Sequence, residues 1–275
     1  MKQTLSKSPI NWKDMEVEAK WTASRHAYEL IISEFQDQGS DFGYTFKVRW
    51  SGLPKKYVDR YFETKNNALS SGLHALRHRI RYTSKPRAQN SSLSCLINAS
   101  WKKDWEKIQY KSTPTRIGAV WFRKEIGGCK IWDKRDNDLC PNLPTAEPIN
   151  IITDSQFSHE ALTFLLKDHP EINRQNLTPF MSVTDFRYRV ILMDKDNKMF
   201  ELSLDHLISE NFRTGVINRA YEAELEIIRP KPSDENLTEL FRISKLIQER
   251  YELTPSTTSK GGNKVPELEQ KNDED

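Results

Sequence analysis

Nothing in this 275-residue sequence supplies the apolar material for a secretion leader or a membrane span. Met1 to Lys13 has no apolar core, and no run approaches the roughly 20 residues that a spanning helix needs. Cysteine is scarce: Cys95, Cys129 and Cys140 are odd in number, widely spaced, and show no CxxC or Cys/His zinc spacing. That pattern predicts reduced thiols in a reducing, cytoplasmic compartment and argues against a disulfide scaffold or a zinc centre. An excess of one charge is also missing. The 42 basic and 39 acidic residues leave +3, too near balance for bulk nucleic-acid binding. Apolar residues make up 36% of the chain, low for a globular domain unless charge is used inside the fold.

What the chain has instead is charge at every second position. In Glu16-Val17-Glu18-Ala19-Lys20, an extended backbone puts the three charged groups on one face. Glu222, Glu224 and Glu226 repeat the spacing near the other end. Between these runs the sign reverses. Arg77, Arg79 and Arg81 share a face, as do Lys107, Gln109 and Lys111, then Arg123 and Glu125, then Arg187 and Arg189. Glu201, Ser203 and Asp205 alternate with Phe200, Leu202 and Leu204. Any one of these is an ordinary amphipathic strand. Together they supply acids and bases for a metal-bound polyanion, and a barrel with a charged lumen accounts for all of them.

The remaining pattern predicts one α+β domain over residues 1–253 and a disordered polar tail over 254–275. A helix is expected from Thr22 to Gln38, with Ala27, Leu30, Ile31 and Phe35 at helical spacing. Tyr44–Trp50 and Lys56–Phe62 read as a strand pair around Gly52 and Pro54. Further strands are expected near Leu76–Thr83, Lys107–Ser112, Gly118–Ile126, Phe186–Met193, Met199–Asp205 and Ala220–Ile228, enough to close a small barrel. Ser158 to His169 reads as a helix capped by Ser158, and Asp234 to Leu253 as an amphipathic outer helix.

These motifs, in this order, resemble the CYTH superfamily, the triphosphate tunnel metalloenzymes. The Glu-x-Glu-x-Lys hallmark is matched by Glu16, Glu18 and Lys20. Tyr61-Phe62-Glu63-Thr64, Leu69, Gly72 and Leu76-Arg77-His78-Arg79 match a second block. Lys111, Arg123 with Glu125, Arg187 with Arg189, Ser203-Leu204-Asp205, and Glu222 with Glu224 and Glu226 follow. The resemblance spans roughly residues 14 to 230. It departs at Gly127, where the family often carries another acid, and in the long polar links from Arg87 to Lys103 and from Cys129 to Phe157. Those departures leave the substrate open.

The resemblance implies a closed antiparallel β-barrel of about eight strands forming a charged tunnel, with flanking helices. It implies Mg²⁺ or Mn²⁺ held by Glu16, Glu18, Glu222, Glu224 and Glu226, since these ions prefer hard oxygen ligands. Lys20, Arg77, Arg79, Lys111, Arg123, Arg187 and Arg189 are then the phosphate-binding residues, and Glu125 and Asp205 the catalytic ones. The expected partner is a triphosphate-bearing small molecule or an RNA 5′ end. The expected reaction is removal of the terminal phosphate. Cyclisation of ATP to cAMP and non-catalytic polyphosphate binding are the alternatives. His74, His78 and His206, close to these motifs, are expected to pack and not to react.

Overall fold

The computed structural model describes residues 15–35, 40–48, 54–71, 74–84, 101–111, 115–131, 159–172, 176–194, 197–228 and 233–258. Twelve strands lie in one antiparallel, curled sheet. They are β1 (Met15–Ala23), β2 (Ser40–Asp41), β3 (Tyr44–Val48), β4 (Lys55–Glu63), β5 (Ala75–Ser84) and β6 (Trp101–Lys111). After these come β7 (Thr115–Ile117), β8 (Val120–Ile131), β9 (Thr178–Asp194), β10 (Asn197–Asn211), β11 (Ile217–Ile227) and β12 (Thr254–Pro255). Among the described residues four helices accompany them: α1 (Arg25–Glu34), α2 (Ala68–Ser71), α3 (His159–Asp168) and α4 (Asp234–Arg250).

The strand order is β10-β11-β1-β8-β6-β5-β4-β9-β3-β2, and β9 also pairs β10. Eight strands thereby share a continuous circuit of ladders, which brings the first and last long strands side by side. Within it Glu18 faces Glu226, Lys20 faces Glu224, and Glu222 faces Asp205. Because the side-chain period is two, these registers and those of β9, β4 and β5 put Glu16, Glu18 and Lys20, Glu222 and Glu224, Glu201 and Asp205, Arg187 and Arg189, and Arg77 and Arg79 on one face of the sheet.

The apolar core lies on the opposite face. Val17, Ala19 and Trp21 of β1, Leu202 and Leu204 of β10, and Ala223 and Leu225 of β11 pack with Ile31 of α1 and Leu237, Leu240, Ile243 and Ile247 of α4. Those four α4 residues recur at helical spacing, so the helix lays a single apolar stripe on the sheet. A second apolar cluster joins Leu76 and Tyr110 of β5 and β6 to Leu69 of α2 and Leu165 of α3.

Several expectations are corrected. β3 and β4 are not a hairpin: each pairs β9, and the other neighbour of β4 is β5. The seventeen residues of β9 offer an edge long enough for two short neighbours. The first helix starts at Arg25, because the Ser24 hydroxyl accepts a hydrogen bond from the Ala27 amide at 3.1 Å and caps it. Thr22 and Ala23 belong to β1. The expected tail is ordered at its beginning, where β12 pairs Thr22 and Trp21 of β1. Ser256 is buried; its amide donates to the Lys20 carbonyl at 2.9 Å, and its carbonyl accepts from Trp121 Nε1 at 3.1 Å. The N-cap expected at Ser158, and the links over most of 87–103 and 129–157, lie outside the described residues.

Candidate functional site

The charged face carries an unusual load for a protein interior. Glu18, Lys20, Asp59, Arg77, Arg79, Lys111, Asp185, Glu201, Asp205, Glu222 and Glu224 are all buried. Isolated charges cannot be buried so deeply at tolerable cost, so they must pair or bind ions.

The pairing runs around the circuit. Lys20 Nζ lies 2.6 Å from Glu224 and 3.2 Å from Glu222. Arg123 donates to Glu16 at 2.5 Å and to Glu18 at 2.7 Å, and Lys111 reaches Glu16 at 3.0 Å. Arg187 grips Asp205 with two nitrogens and also meets Glu224 at 2.6 Å. Arg189 forks onto Glu201. On the far side, Arg79 donates twice to Asp59 at 2.6 Å, and Arg77 joins at 3.1 Å while its Nε bonds Gln109 at 2.8 Å.

Proton affinities follow from this crowding. Burial pushes the Glu18 carboxyl up, and the opposing pull of Arg123 does not cancel it. Burial, reinforced by Glu16, Glu18 and Glu201, raises Glu226 to about 8. Burial lowers the Lys20 ammonium, but Glu222, Glu224 and Glu18 more than reverse that and hold it charged. Arg123 and Arg187 show the same balance, their carboxylate neighbours outweighing desolvation.

One carboxylate oxygen each from Asp205, Glu222 and Glu224 lies within 4.8 Å of the others. The three are hard oxygen donors with no sulfur or imidazole among them, which suits Mg²⁺ or Mn²⁺. The donor chemistry therefore fits a divalent cation. The five expected ligands are distributed differently from the expectation. Glu222 and Glu224 sit in this cluster with Asp205. Glu16 and Glu18 are held by Arg123, and Glu226 lies between Glu18 and Glu201 in the ladder. All seven expected phosphate-binding cations belong to the charged face. Glu125 is opposite Lys111 in the β6–β8 ladder, and its side chain is outside the described residues.

Asp59, Asp185, Glu201, Tyr57 and Gln109 were not among the expected site residues. Gln109 and Glu201 lie on the alternations read from the sequence, and parity could have found the other three. Tyr57 and Asp59 alternate along β4, Asp185 is two residues before Arg187, and Glu201 is two before Ser203. Glu63, in the Tyr-Phe-Glu-Thr motif, has a structural task. Its Oε1 accepts from the amides of Thr64 (2.8 Å) and Leu69 (3.0 Å), and its Oε2 from Ser70 (2.7 Å), which fixes α2. His206 packs on Tyr221, with ring centroids 4.9 Å apart.

The face is also graded from end to end. Side-chain exposure is 25% at Arg189 and 26% at Arg81, against 0% at Asp59 and Asp185. Beyond the buried end, Tyr61, Met181, Val183 and Leu207 form an apolar cluster.

No family model matches the chain, and no curated protein does. Similar solved structures include a proposed adenylyl cyclase from Hippeastrum with a dominant triphosphatase activity. It is 15% identical, with 90% of this chain and 93% of that one covered and a TM-score of 0.49. A proposed adenylate cyclase from Bacillus halodurans is 17% identical over 90% and 95% of the two chains, with a TM-score of 0.47. The Mimivirus capping-enzyme triphosphatase is 14% identical over 86% and 90%, with a TM-score of 0.42. At these scores the likeness carries no conclusion about activity.

Proposed function

We propose that this chain is a metal-dependent hydrolase that removes the terminal phosphate of a triphosphate inside its charged circuit of strands. The observation that carries the reading is the buried Asp205–Glu222–Glu224 cluster, gripped by Lys20 and Arg187. Three buried carboxylates with oxygens so close together repel one another beyond what two shared cations offset, and a divalent cation among them would relieve that repulsion.

A bound Mg²⁺ or Mn²⁺ would neutralise phosphoryl charge and polarise oxygens. The rest is the work of the side chains. Lys20 and Arg187, held beside the cluster by its carboxylates, would meet the phosphate oxygens. Arg79 and Arg77 are oriented by Asp59, and Arg123 by Glu16 and Glu18, so their forks are set before substrate arrives. Phosphoryl transfer asks mainly for such positioning and charge stabilisation.

The gradient of exposure sets the direction of access. A triphosphate enters past Arg189 and Arg81, terminal phosphate first, and any organic group stays towards the exposed end. That arrangement suits tripolyphosphate, a nucleoside or thiamine triphosphate, or an RNA 5′-triphosphate. Phosphate release from each of these, with Mg²⁺ or Mn²⁺ and beside a Glu18→Ala control, tests the reading. Metal-dependent orthophosphate release that the control loses supports it. Pyrophosphate and cAMP from ATP would make the chain a cyclase instead, and tight binding without turnover would make it a polyphosphate-binding module.

A further inference from the structure

We propose that Asp185 is a catalytic residue of this site, its carboxylate accepting a hydrogen bond from the water that attacks the terminal phosphorus. The inference rests on the hydrolase reading above and adds to it the residue that handles the nucleophile.

Three carboxylates border the arginines at the buried end, and two are already committed. Asp59 is taken by Arg77 and Arg79, and Asp205 by Arg187. Asp185 is 0% exposed, and among the described residues neither of its oxygens has a hydrogen bond. Arg187 Nε stands 3.6 Å away and Arg79 Nη2 4.0 Å, close enough to attract the charge but too far to satisfy it. A buried carboxylate in that condition calls for a donor.

The neighbours decide which donor. Asp185 lies between the two arginines that would hold phosphate oxygens, and those oxygens only accept. A second anion cannot fill the gap; a water can. Tyr57, opposite Asp185 in the ladder, closes the other side, with Arg79 4.9 Å and Arg187 5.9 Å from its ring centroid. Arg187 also touches Asp205 and Glu224, so the gap is one side chain from the acidic cluster.

In the step, the water oxygen bonds to the terminal phosphorus while the bridging P–O bond breaks. The bond's electron pair leaves with the diphosphate. The water proton passes to Asp185 Oδ and from there to solvent.

The test is steady-state hydrolysis of inorganic tripolyphosphate with Mg²⁺ or Mn²⁺ by the wild type and Asp185→Asn, with calorimetric titration of tripolyphosphate into both. The Asn variant should lose kcat by about 100-fold or more. Its KM and dissociation constant should hold or fall, because a negative charge between two phosphate-binding arginines is gone. A merely structural Asp185 would not split kcat from KM in this way. An Asn variant with kcat within about threefold of wild type, or one that loses tripolyphosphate binding together with turnover, overturns the inference. If Asn does not fold, Asp185→Ser is read by the same criteria. A wild type that hydrolyses no triphosphate overturns the hydrolase reading and this inference with it, whereas an active wild type with an equally active Asn variant overturns this inference alone.

Discussion

Trp21 and Lys20 are neighbours on β1, 0% and 1% exposed, and they are buried by opposite means. Trp21 joins the apolar core shared with α1 and α4, while Lys20 is enclosed by Glu222 and Glu224. The same alternation runs along β10 and β11. The apolar face is the ordinary way to stabilise a sheet, at roughly 25 cal/mol per Å² of apolar surface removed from water. The charged face is a costly way to do so, since well-packed apolar residues in place of buried ion pairs are often neutral or stabilising. Two faces buried alike and so differently made are best understood as having two tasks: one holds the fold and the other holds a charged ligand.

The comparison breaks if the two faces respond alike to truncation. Glu224→Ala removes a carboxylate shared by Lys20, Arg187 and the acidic cluster. Phosphate release should fall by about 1,000-fold or more, the scale of losing a main charge-stabilising group. Trp21→Ala should leave the turnover of the folded fraction nearly unchanged and lower unfolding stability by about 3–5 kcal/mol, measured by urea titration. An active Glu224→Ala protein, or a stable but inactive Trp21→Ala protein, would dissolve the division of labour.

That division was visible in the sequence at its edges and hidden in the middle. Glu16, Glu18, Lys20 and the Glu222–Glu226 run announce themselves by strict alternation, and their adjacency follows once the first and last long strands pair. Sequence spacing cannot give the pairing partners of each cation, because those depend on register. Hence the metal ligands were expected from β1 and β11, while the close cluster draws Asp205 from β10. Asp59 escaped for a different reason. It lies among Tyr57, Val58, Arg60 and Tyr61, where parity gives its face but only the register with β5 gives its partners Arg77 and Arg79. The expected β3–β4 pairing does not form, because a turn-like Gly52-Leu53-Pro54 says where strands stop, not which strand they meet.

A pH titration sharpens the contrast within the charged face. Glu226 is raised from its ordinary 4.5 to about 8 by burial and by Glu16, Glu18 and Glu201. The folded protein therefore keeps a proton at Glu226 that the unfolded chain releases above pH 4.5. Stability from this group is complete below that pH and is lost as the pH rises through about 8. Between those limits its contribution should decline by up to about 1.4 kcal/mol per pH unit. Glu226→Gln, measured by urea unfolding from pH 5 to 9, should flatten that decline; an identical slope in both proteins would contradict it.

A smaller effect is expected where the chain returns to β1. Ending it after Leu253 removes β12, the partner of Trp121 Nε1, and the donor to the Lys20 carbonyl. The cost should be about 1–3 kcal/mol in unfolding stability, the scale of buried polar groups left without partners. No change on truncation would detach Ser256 from the fold.

The smallest effect belongs to an ion pair of the same chemistry in water. Lys245 and Glu249 stand 3.8 Å apart on α4, with side chains 76% and 61% exposed. The lysine precedes the glutamate, the less favourable order for residues four apart on a helix. Solvent screens the attraction, and both long side chains lose freedom to meet. Lys245→Ala should therefore change unfolding stability by less than about 0.5 kcal/mol. The same lysine-to-alanine exchange at Lys20 would strip Glu222 and Glu224 of their shared cation in the interior, and the loss there should be about 3 kcal/mol or more. Urea titrations of the two variants side by side give the ratio directly. Near-equal losses would mean that the charged face is as wet as the surface of α4, and that its carboxylates do not need a bound cation to be tolerated.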